Sequence, residues 1–255
     1  MAATQFSIRL ASPEHAPILG KISGDSFLND RHTQMKGLGK DPYDLERSMA
    51  ADIPRQATSP NIVLLEAVDS TSGEVAGWVS WGFRGFTPAE VAAVRPGELF
   101  TFVHNSSEKG ERGEEKPAAK DQDDTSSEVV EGDPIKRLEA MTGADLKRWM
   151  DKVMPDGTKC MFVISLCVAP KWQSRGVGSL LLQWGTDTAD STGVFMWVHS
   201  SAGAWQMYRS HGFETIEKLD VDLDQYAPAP PPDNEEIWGH YVFRYMIRLP
   251  QGSRG

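Results

Sequence analysis

Hydrophobic and polar positions along the chain alternate with two periods, the two-residue period of strands and the 3.6-residue period of helices. Short runs rich in β-branched and aromatic residues predict seven strands, and a Ser-Thr-Ser-Gly turn after Asp69 joins the second and third into a hairpin. The predicted strands are 6–10, 61–69, 74–83, 162–168, 194–198, 213–223 and 241–249.

Helical spacing predicts five helices among these strands. Two follow Ser12-Pro13 and Gly178, and the others occupy 45–53, 135–154 and 202–211. The helix at 45–53 ends before Pro54, because the residue preceding a proline leaves the α region. Gly143 is expected to break the helix at 135–154 into two pieces, since glycine weakens a helix interior. The order of elements predicts a mixed α/β (α+β) fold, with a mostly antiparallel central sheet flanked by helices.

The segment 104–134 differs in composition from the rest of the chain. It is polar and almost free of aromatic residues, and its ten acidic and four basic residues give it a charge of −6. The remaining residues carry only −4 of the formal net charge of −10. Such a segment cannot bury enough apolar surface to offset its ordering entropy. We expect a single domain, residues 1–255, with a mobile acidic insertion at about 104–134.

Charge and hydropathy argue against several classes of partner. Nucleic-acid binding needs a basic surface, which this chain lacks. No run approaches the roughly 18–20 apolar residues of a membrane span, and the first residues lack the pattern of a secretory signal. Cys160 and Cys167 are the only cysteines, too few for a disulfide scaffold. We therefore expect a cytoplasmic protein that binds neither nucleic acid nor membrane, and its oligomeric state is left open.

Candidate chemistry begins where the strand 162–168 ends. Pro170 stops the strand, and Gly176 and Gly178 precede a helix, so unpaired amides at the helix start can bind an anion such as a pyrophosphate. A Rossmann fingerprint would need a third glycine at Leu181, and a P-loop would need lysine after its last glycine. A glycine-rich turn without a ligand is the structural alternative.

Two motifs together resemble the GCN5-related N-acetyltransferases (GNAT). Gln173-Ser-Arg-Gly-Val-Gly178 is similar to the family's acetyl-CoA-binding motif, Q/R-x-x-G-x-G/A, and likewise stands between a strand and a helix. Tyr208-Arg-Ser-His-Gly-Phe213 is similar to the family's tyrosine-bearing helix that ends in Gly-Phe. The resemblance implies a GNAT-like acyl-CoA N-acyltransferase fold with acetyl-CoA as the acyl-donor cosubstrate.

The resemblance implies a cofactor site along the strand and its turn. The backbone of Leu166–Val168 would pair with the pantetheine arm, and the amides of Ser174–Ser179 would hold the pyrophosphate, with Lys171 and Arg175 nearby. Ser201 stands where many members have asparagine, and serine can still form hydrogen bonds. The residues implied at the cofactor site are Leu166, Cys167, Val168, Gln173, Ser174, Arg175, Gly176, Val177, Gly178, Ser179, Ser201 and Ala204.

The resemblance also implies a catalytic acid. Tyr208 matches the tyrosine that protonates the leaving thiolate in many members of the family. A phenol with a pKa of about 10 beside a thiol with a pKa of about 8.5 can assist proton delivery as the sulfur leaves. The alternative for Tyr208 is an aromatic packing residue on a short helix.

The general base departs from the family pattern. Members with a base on this strand place Glu or His near the positions held here by Phe162 and Ile164, and Ser165 is a poor base by itself. His199 at the end of the next strand is the candidate, because imidazole titrates near neutrality. The alternatives are a structural histidine, water, a backbone carbonyl, or a neutral amine that needs no base. Cys167 suits a buried structural role better than a covalent acyl-enzyme.

The acceptor site must come from other segments. By the family's pattern, residues 144–154 and 227–238 are expected to form an apolar wall, with Asp25, Asp30 or Asp145 available to attract an amine. We expect acetyl transfer to a primary amine, that of a small molecule, by direct attack in a ternary complex without a metal. A protein N-terminal or lysine acceptor and a non-catalytic acyl-CoA-binding module are the alternatives.

Overall fold

The computed structural model describes residues 6–96, 100–102, 132–232 and 235–252. Within them lie eight strands and seven α-helices. The strands are β1 Phe6–Leu10, β2 Ile62–Asp69, β3 Val75–Arg84, β4 Phe100–Phe102, β5 Cys160–Val168, β6 Phe195–Ser200, β7 Glu214–Asp222 and β8 His240–Arg248. The helices are α1 Ala16–Ser26, α2 Arg31–Lys36, α3 Leu45–Thr58, α4 Pro88–Val94, α5 Pro134–Val153, α6 Val177–Thr192 and α7 Trp205–Ser210.

One sheet contains all eight strands, in the order β4-β1-β2-β3-β5-β6-β8-β7. Every neighbouring pair is antiparallel except β5 and β6, which run parallel because α6 crosses between them. The predicted mixed, mostly antiparallel sheet flanked by helices is confirmed. The seven predicted strands are all present, and the three-residue β4 was not predicted.

The core lies on both faces of the sheet, since β2 and β3 are buried along almost their whole length. On one face α6 packs so closely that a Cβ built on Gly185 would lie 2.1 Å from the ring of Trp81. On the other face α1 and α3 cover Trp78, whose Nε1 donates to the carbonyl of Leu19 at 3.0 Å. These helices fix the strands that carry the motif residues.

The prediction that α3 ends before Pro54 was wrong, because the helix continues to Thr58. Proline removes one hydrogen bond and usually kinks a helix. Here Ile53 and Gln56, on either side of the proline, are 0% and 1% exposed. Burying a side chain such as that of Ile53 contributes roughly 1.5–3 kcal/mol, which offsets much of the proline cost.

The prediction that Gly143 breaks α5 was also wrong, because α5 is one helix of 20 residues. Its buried side chains, Ile135, Leu138 and Trp149, lie on both sides of the glycine and hold the whole length against the sheet. The helices α2 and α4 were not predicted; each is short and has one buried side chain, Met35 and Val91 respectively.

Two glycine substitutions test this helix packing. Gly143→Ala is expected to raise the free energy of unfolding by about 0.5–1 kcal/mol, because a Cβ there meets nothing within 4 Å. Gly185→Ala is expected to lower it by about 1–3 kcal/mol, because its Cβ overlaps the ring of Trp81. Urea denaturation of both variants measures the two effects. Destabilisation by Gly143→Ala would contradict a continuous α5.

Most of the predicted acidic insertion, 104–131, lies outside the described residues, so its mobility stays a prediction. Only its end is described: Asp133 caps α5 by accepting from the amide of Ile135 at 3.0 Å. Among the described residues, no helix is long and apolar enough to cross a membrane.

Candidate active site

β5 contains a bulge at Ile164. Val163 and Ser165 pair with consecutive residues of β3, so Ile164 is the extra residue between them. A bulge bends its strand and strengthens its twist. It also shifts the alternation of side chains, because Val163 before the bulge and Leu166 after it both pack toward the α6 side.

β5 and β6 separate at this point. Their parallel pairing ends at Phe162 and Trp197, although β5 continues to Val168 and β6 to Ser200. The backbone groups of β5 that point toward β6 beyond Phe162 therefore have no strand partner among the described residues. Such an edge can pair with an extended ligand as it would with an added strand.

The turn that follows β5 leads directly into the start of α6. Ser174 and Gly176 adopt positive φ angles of 58° and 84°. No side chain caps the first amides of α6. The Nε2 of Gln173 donates to the carbonyl of Val168 at 3.0 Å and fastens the turn to the strand. The 16-residue α6 therefore presents free amides and the positive end of its dipole.

The surroundings of this turn combine positive charge with close packing. Arg175 is exposed and lies 5.3 Å over the ring of Trp172, while Lys171 pairs with Glu74. A Cβ built on Gly178 would lie 2.8 Å from the Sδ of Met207. A side chain at Gly178 would have to move the Met207 side chain, so this glycine leaves room for Met207 of α7 beside the start of α6.

A cavity of about 310 Å³ opens between the separated strands. The structure brings together in its lining six of the residues predicted from the sequence, Leu166, Cys167, His199, Ser201, Ala204 and Tyr208. Val168 and the turn 173–179 are not among its lining residues and lie toward the start of α6. The predicted site thus consists of a turn, an unpaired strand edge and a cavity.

Tyr208 reaches the cavity from α7 and is 4% exposed. Its ring contacts Phe213 edge to face at 5.6 Å. Burial raises the pKa of Tyr208 well above its usual value, and the nearby Cys167 raises it further. The phenol therefore keeps its proton throughout the neutral range and is a hydrogen-bond donor.

His199 lies between two aromatic rings of β8. The ring centroids of Phe243 and Tyr245 are each 4.7 Å from that of the imidazole. Burial lowers the pKa of His199 to about 4; Asp145 opposes this effect, and His32 adds to it. Its Nε2 is buried without a hydrogen-bond partner among the described residues. The imidazole is neutral at pH 7.

Sequence reasoning missed most of the lining residues that helices α1 to α3 and strand β8 contribute, among them His32 and Tyr241. The Tyr241 hydroxyl donates to Asp30 at 2.6 Å and accepts from the amide of Ala202 at 3.3 Å. It thereby joins α2 to the turn before α7. One signal in the sequence could have predicted the start of α2. Asp30 is an N-cap type of residue, and its side chain accepts from the amide of Thr33, three residues later, at 2.9 Å.

The predicted acceptor wall was wrong for this cavity. Among the described residues, neither 144–154 nor 227–238 lines it; side chains of α1, α2 and α3 do so instead. Asp145 accepts from the Tyr245 hydroxyl at 2.6 Å, and Asp25 pairs with Lys21 on the surface. Of the three proposed carboxylates, only Asp30 lines the cavity.

Cys167 is a buried structural thiol, as its sequence context indicated. Burial raises its pKa to about 11, so it is a poor nucleophile. Among the residues that the structure describes, no group of three or more His, Cys, Asp or Glu side chains could hold a metal ion.

One family model matches the part of the chain that contains the site. Residues 140–213, which include most of α5 and all of β5, the turn, α6, β6 and α7, match the model of the acetyltransferase (GNAT) family. This segment is therefore similar to the GNAT acetyltransferases. None of the curated proteins matches the chain in sequence.

Several solved structures share the fold of this chain at low sequence identity. A histone acetyltransferase HPA2-related acetyltransferase from Corynebacterium glutamicum is 15% identical, with a TM-score of 0.52 and 99% of both chains covered. A mosquito arylalkylamine N-acetyltransferase-like 5b is 17% identical, with a TM-score of 0.54, 96% of this chain covered and 99% of that one. Arylalkylamine N-acetyltransferase 2 from Aedes aegypti is 13% identical, with the same TM-score and coverage.

The two histidines of the cavity are expected to make the stability of the folded chain depend on pH. Burial lowers the pKa of His32 to about 4, like that of His199. Between about pH 6.5 and 4 the unfolded chain binds more protons than the folded one, so stability falls as the pH falls. Each histidine is expected to contribute up to about 1.4 kcal/mol per pH unit. Urea denaturation across this range measures the slope.

Replacing both histidines with glutamine is expected to flatten that slope. His240→Gln is the matched control, because Asp220 raises the pKa of His240 and its titration lies above this pH window. A slope unchanged in His32→Gln/His199→Gln would show that neither imidazole is buried as described.

Proposed function

We propose that this chain is an acetyl-CoA-dependent N-acetyltransferase that acts on the primary amine of a small molecule, by direct attack in a ternary complex. The observation that carries the proposal is the unpaired edge of β5, which runs from the uncapped start of α6 to a cavity lined by Tyr208 and His199. An extended ligand with an anionic group at one end and a reactive group at the other would fit the uncapped helix start, the strand edge and the cavity in that order.

The residues present fit acetyl-CoA. The amides of Ser174–Ser179, held in place by Gln173 and two positive φ angles, would bind the pyrophosphate. Arg175 and Lys171 would add positive charge. The free backbone groups of Leu166–Val168 would pair with the pantetheine arm, and Ser201 with Ala204 would border it from the end of β6.

Acetyl-CoA supplies an activated acetyl thioester. Amides of Leu166–Val168 would donate to its carbonyl oxygen and increase the reactivity of the carbonyl carbon. Tyr208 would donate its proton to the leaving sulfur. Burial raises the pKa of Tyr208 and also raises that of its neighbour Cys167 to about 11, so the cavity keeps the phenol protonated and makes a leaving thiolate more basic than in water.

His199 is our proposed acceptor for the proton of the attacking amine. It is neutral at pH 7, and its Nε2 has no other partner among the described residues. Because its pKa is low, it suits an amine that arrives already neutral better than an ammonium ion. Water that enters with the acceptor is the alternative route for this proton.

A small acceptor is favoured by the size of the cavity. About 310 Å³ is at the lower end of the range of small-molecule sites, and side chains of α2 and α3 form part of its lining. A peptide would need an open groove leading to Tyr208 from the surface.

Acetyl transfer is tested by incubating the full chain with acetyl-CoA and either a panel of small primary amines or peptides with free N-termini and lysines. Mass spectrometry detects the acetylated product, and a thermal-shift assay detects acetyl-CoA binding separately. We expect acetylated small amines, and no product from the matched tertiary amines. Acetylation of peptides alone would favour the protein acceptor. Stabilisation by acetyl-CoA without turnover of any amine would favour a non-catalytic binding module.

A further inference from the structure

The cavity has one carboxylate among its described lining residues, that of Asp30, and hydrogen bonds already engage it. Its Oδ1 accepts from the amide and the hydroxyl of Thr33, both at 2.9 Å, and its Oδ2 accepts from Tyr241 at 2.6 Å. A carboxylate offers about four lone-pair positions, so Asp30 has little capacity left for an ammonium group.

The lysine of the described cavity wall is already paired and leaves no carboxylate free. Lys36 lines the cavity and lies 3.6 Å over the ring of Tyr43, with its Nζ 3.1 Å from Glu139. This ion pair engages Lys36 with Glu139 of α5. A diamine or polyamine would therefore find no uncommitted carboxylate among the described lining residues for its distal ammonium.

Aromatic and imidazole rings form one part of the wall. The ring of Phe243 lies 4.9 Å from that of His32, 4.7 Å from that of His199 and 4.7 Å from that of Tyr241. The Nε2 atoms of both imidazoles are buried without partners among the described residues. Aromatic faces favour an aromatic guest, and the two nitrogens can form hydrogen bonds with a neutral polar group.

We propose that the acceptor is a primary amine attached to an aromatic body and carrying no second positive charge. The inference rests on the proposed acetyl transfer and names the acceptor class of that same cavity. An apolar site without a free carboxylate disfavours the ammonium form of a bound amine. β5 has no carboxylate that could act as a general base, so the amine must react in its neutral form. An apolar cavity favours that neutral form.

The test compares 2-phenylethylamine with 1,4-diaminobutane as acceptors of the full chain, by the rate of CoA thiol release. We expect kcat/KM to be greater for the aromatic amine by about tenfold or more. Equal or greater kcat/KM for the diamine would overturn the acceptor class and leave acetyl transfer standing. Release of CoA with neither of these amines nor any other amine of the panel would overturn the acceptor class together with acetyl transfer.

A charge introduced into the wall should reverse the preference. Met49 lines the cavity from α3, and Met49→Glu is expected to shift the kcat/KM ratio toward the diamine by about tenfold. Met150→Glu is the matched control, because Met150 is exposed on α5 and is not among the lining residues. Leu45→Glu adds the same charge at the first position of α3, where a helix tolerates it well. A ratio unchanged in folded Met49→Glu and Leu45→Glu would contradict this assignment of the acceptor wall.

Discussion

Gly178→Glu is expected to abolish acetyl-CoA binding, with a loss of at least about 100-fold in affinity. The substitution places a negative charge beside the amides proposed to hold the pyrophosphate, and like charges in contact cost several kcal/mol. Its Cβ also meets the Sδ of Met207 at 2.8 Å. Calorimetry with acetyl-CoA measures the affinity, and a thermal melt of the free protein shows whether the variant folds.

Two variants separate charge from packing at this position. Gly178→Ala adds the contact with Met207 without the charge. It should bind acetyl-CoA more than about tenfold more tightly than Gly178→Glu, because only the glutamate places a negative charge beside the phosphates. Gly143→Glu adds the same side chain where a Cβ meets nothing within 4 Å and should bind like the parent protein. Tight binding of acetyl-CoA by Gly178→Glu would remove the cofactor assignment of the turn.

Tyr208→Phe is expected to lower kcat by about 10²–10⁴, the usual range for loss of a placed general acid. The KM for acetyl-CoA should change little, because the phenol acts on the sulfur as it leaves and not on the bound thioester. Since burial raises the pKa of Tyr208, the parent protein should show no loss of rate from this group up to about pH 10. Steady-state kinetics over a series of pH values measures both effects.

Tyr226→Phe is the matched control for the loss of a phenolic hydroxyl. Tyr226 ends the short turn Leu223–Tyr226 after β7, with its ring centroid 5.9 Å from the guanidinium carbon of Arg137, and does not line the cavity. It should retain the parent rate. An unchanged kcat in Tyr208→Phe would leave this tyrosine as a packing residue against Phe213.

Features carried by neighbouring residues were predictable from the sequence. The apolar run of β5, the glycines of the turn and the Tyr208 motif are all contained in segments of about ten residues, and local patterns specify such segments. Their bounds shifted by a few residues only. The predictions that α3 ends before Pro54 and that Gly143 breaks α5 were wrong for the opposite reason. In both helices, packing against side chains distant in sequence overrode the local preference.

The cavity could not be predicted in the same way. The hydrogen bond between Tyr241 and Asp30 joins positions 211 residues apart, and a local sequence pattern cannot predict such a contact. His199 was found because it ends a strand, but its low pKa depends on rings that β8 contributes. Burial and neighbouring charges determine these properties, and both require the tertiary structure.

The two cysteines have a practical consequence for measurement. Cys160 and Cys167 are the only thiols of the chain, and burial raises the pKa of each to about 11. At pH 7 to 8 very little of either is thiolate, the form that attacks disulfide reagents. A chromogenic thiol reagent added directly to the working enzyme will therefore register released CoA as it forms, over a near-zero background from the protein.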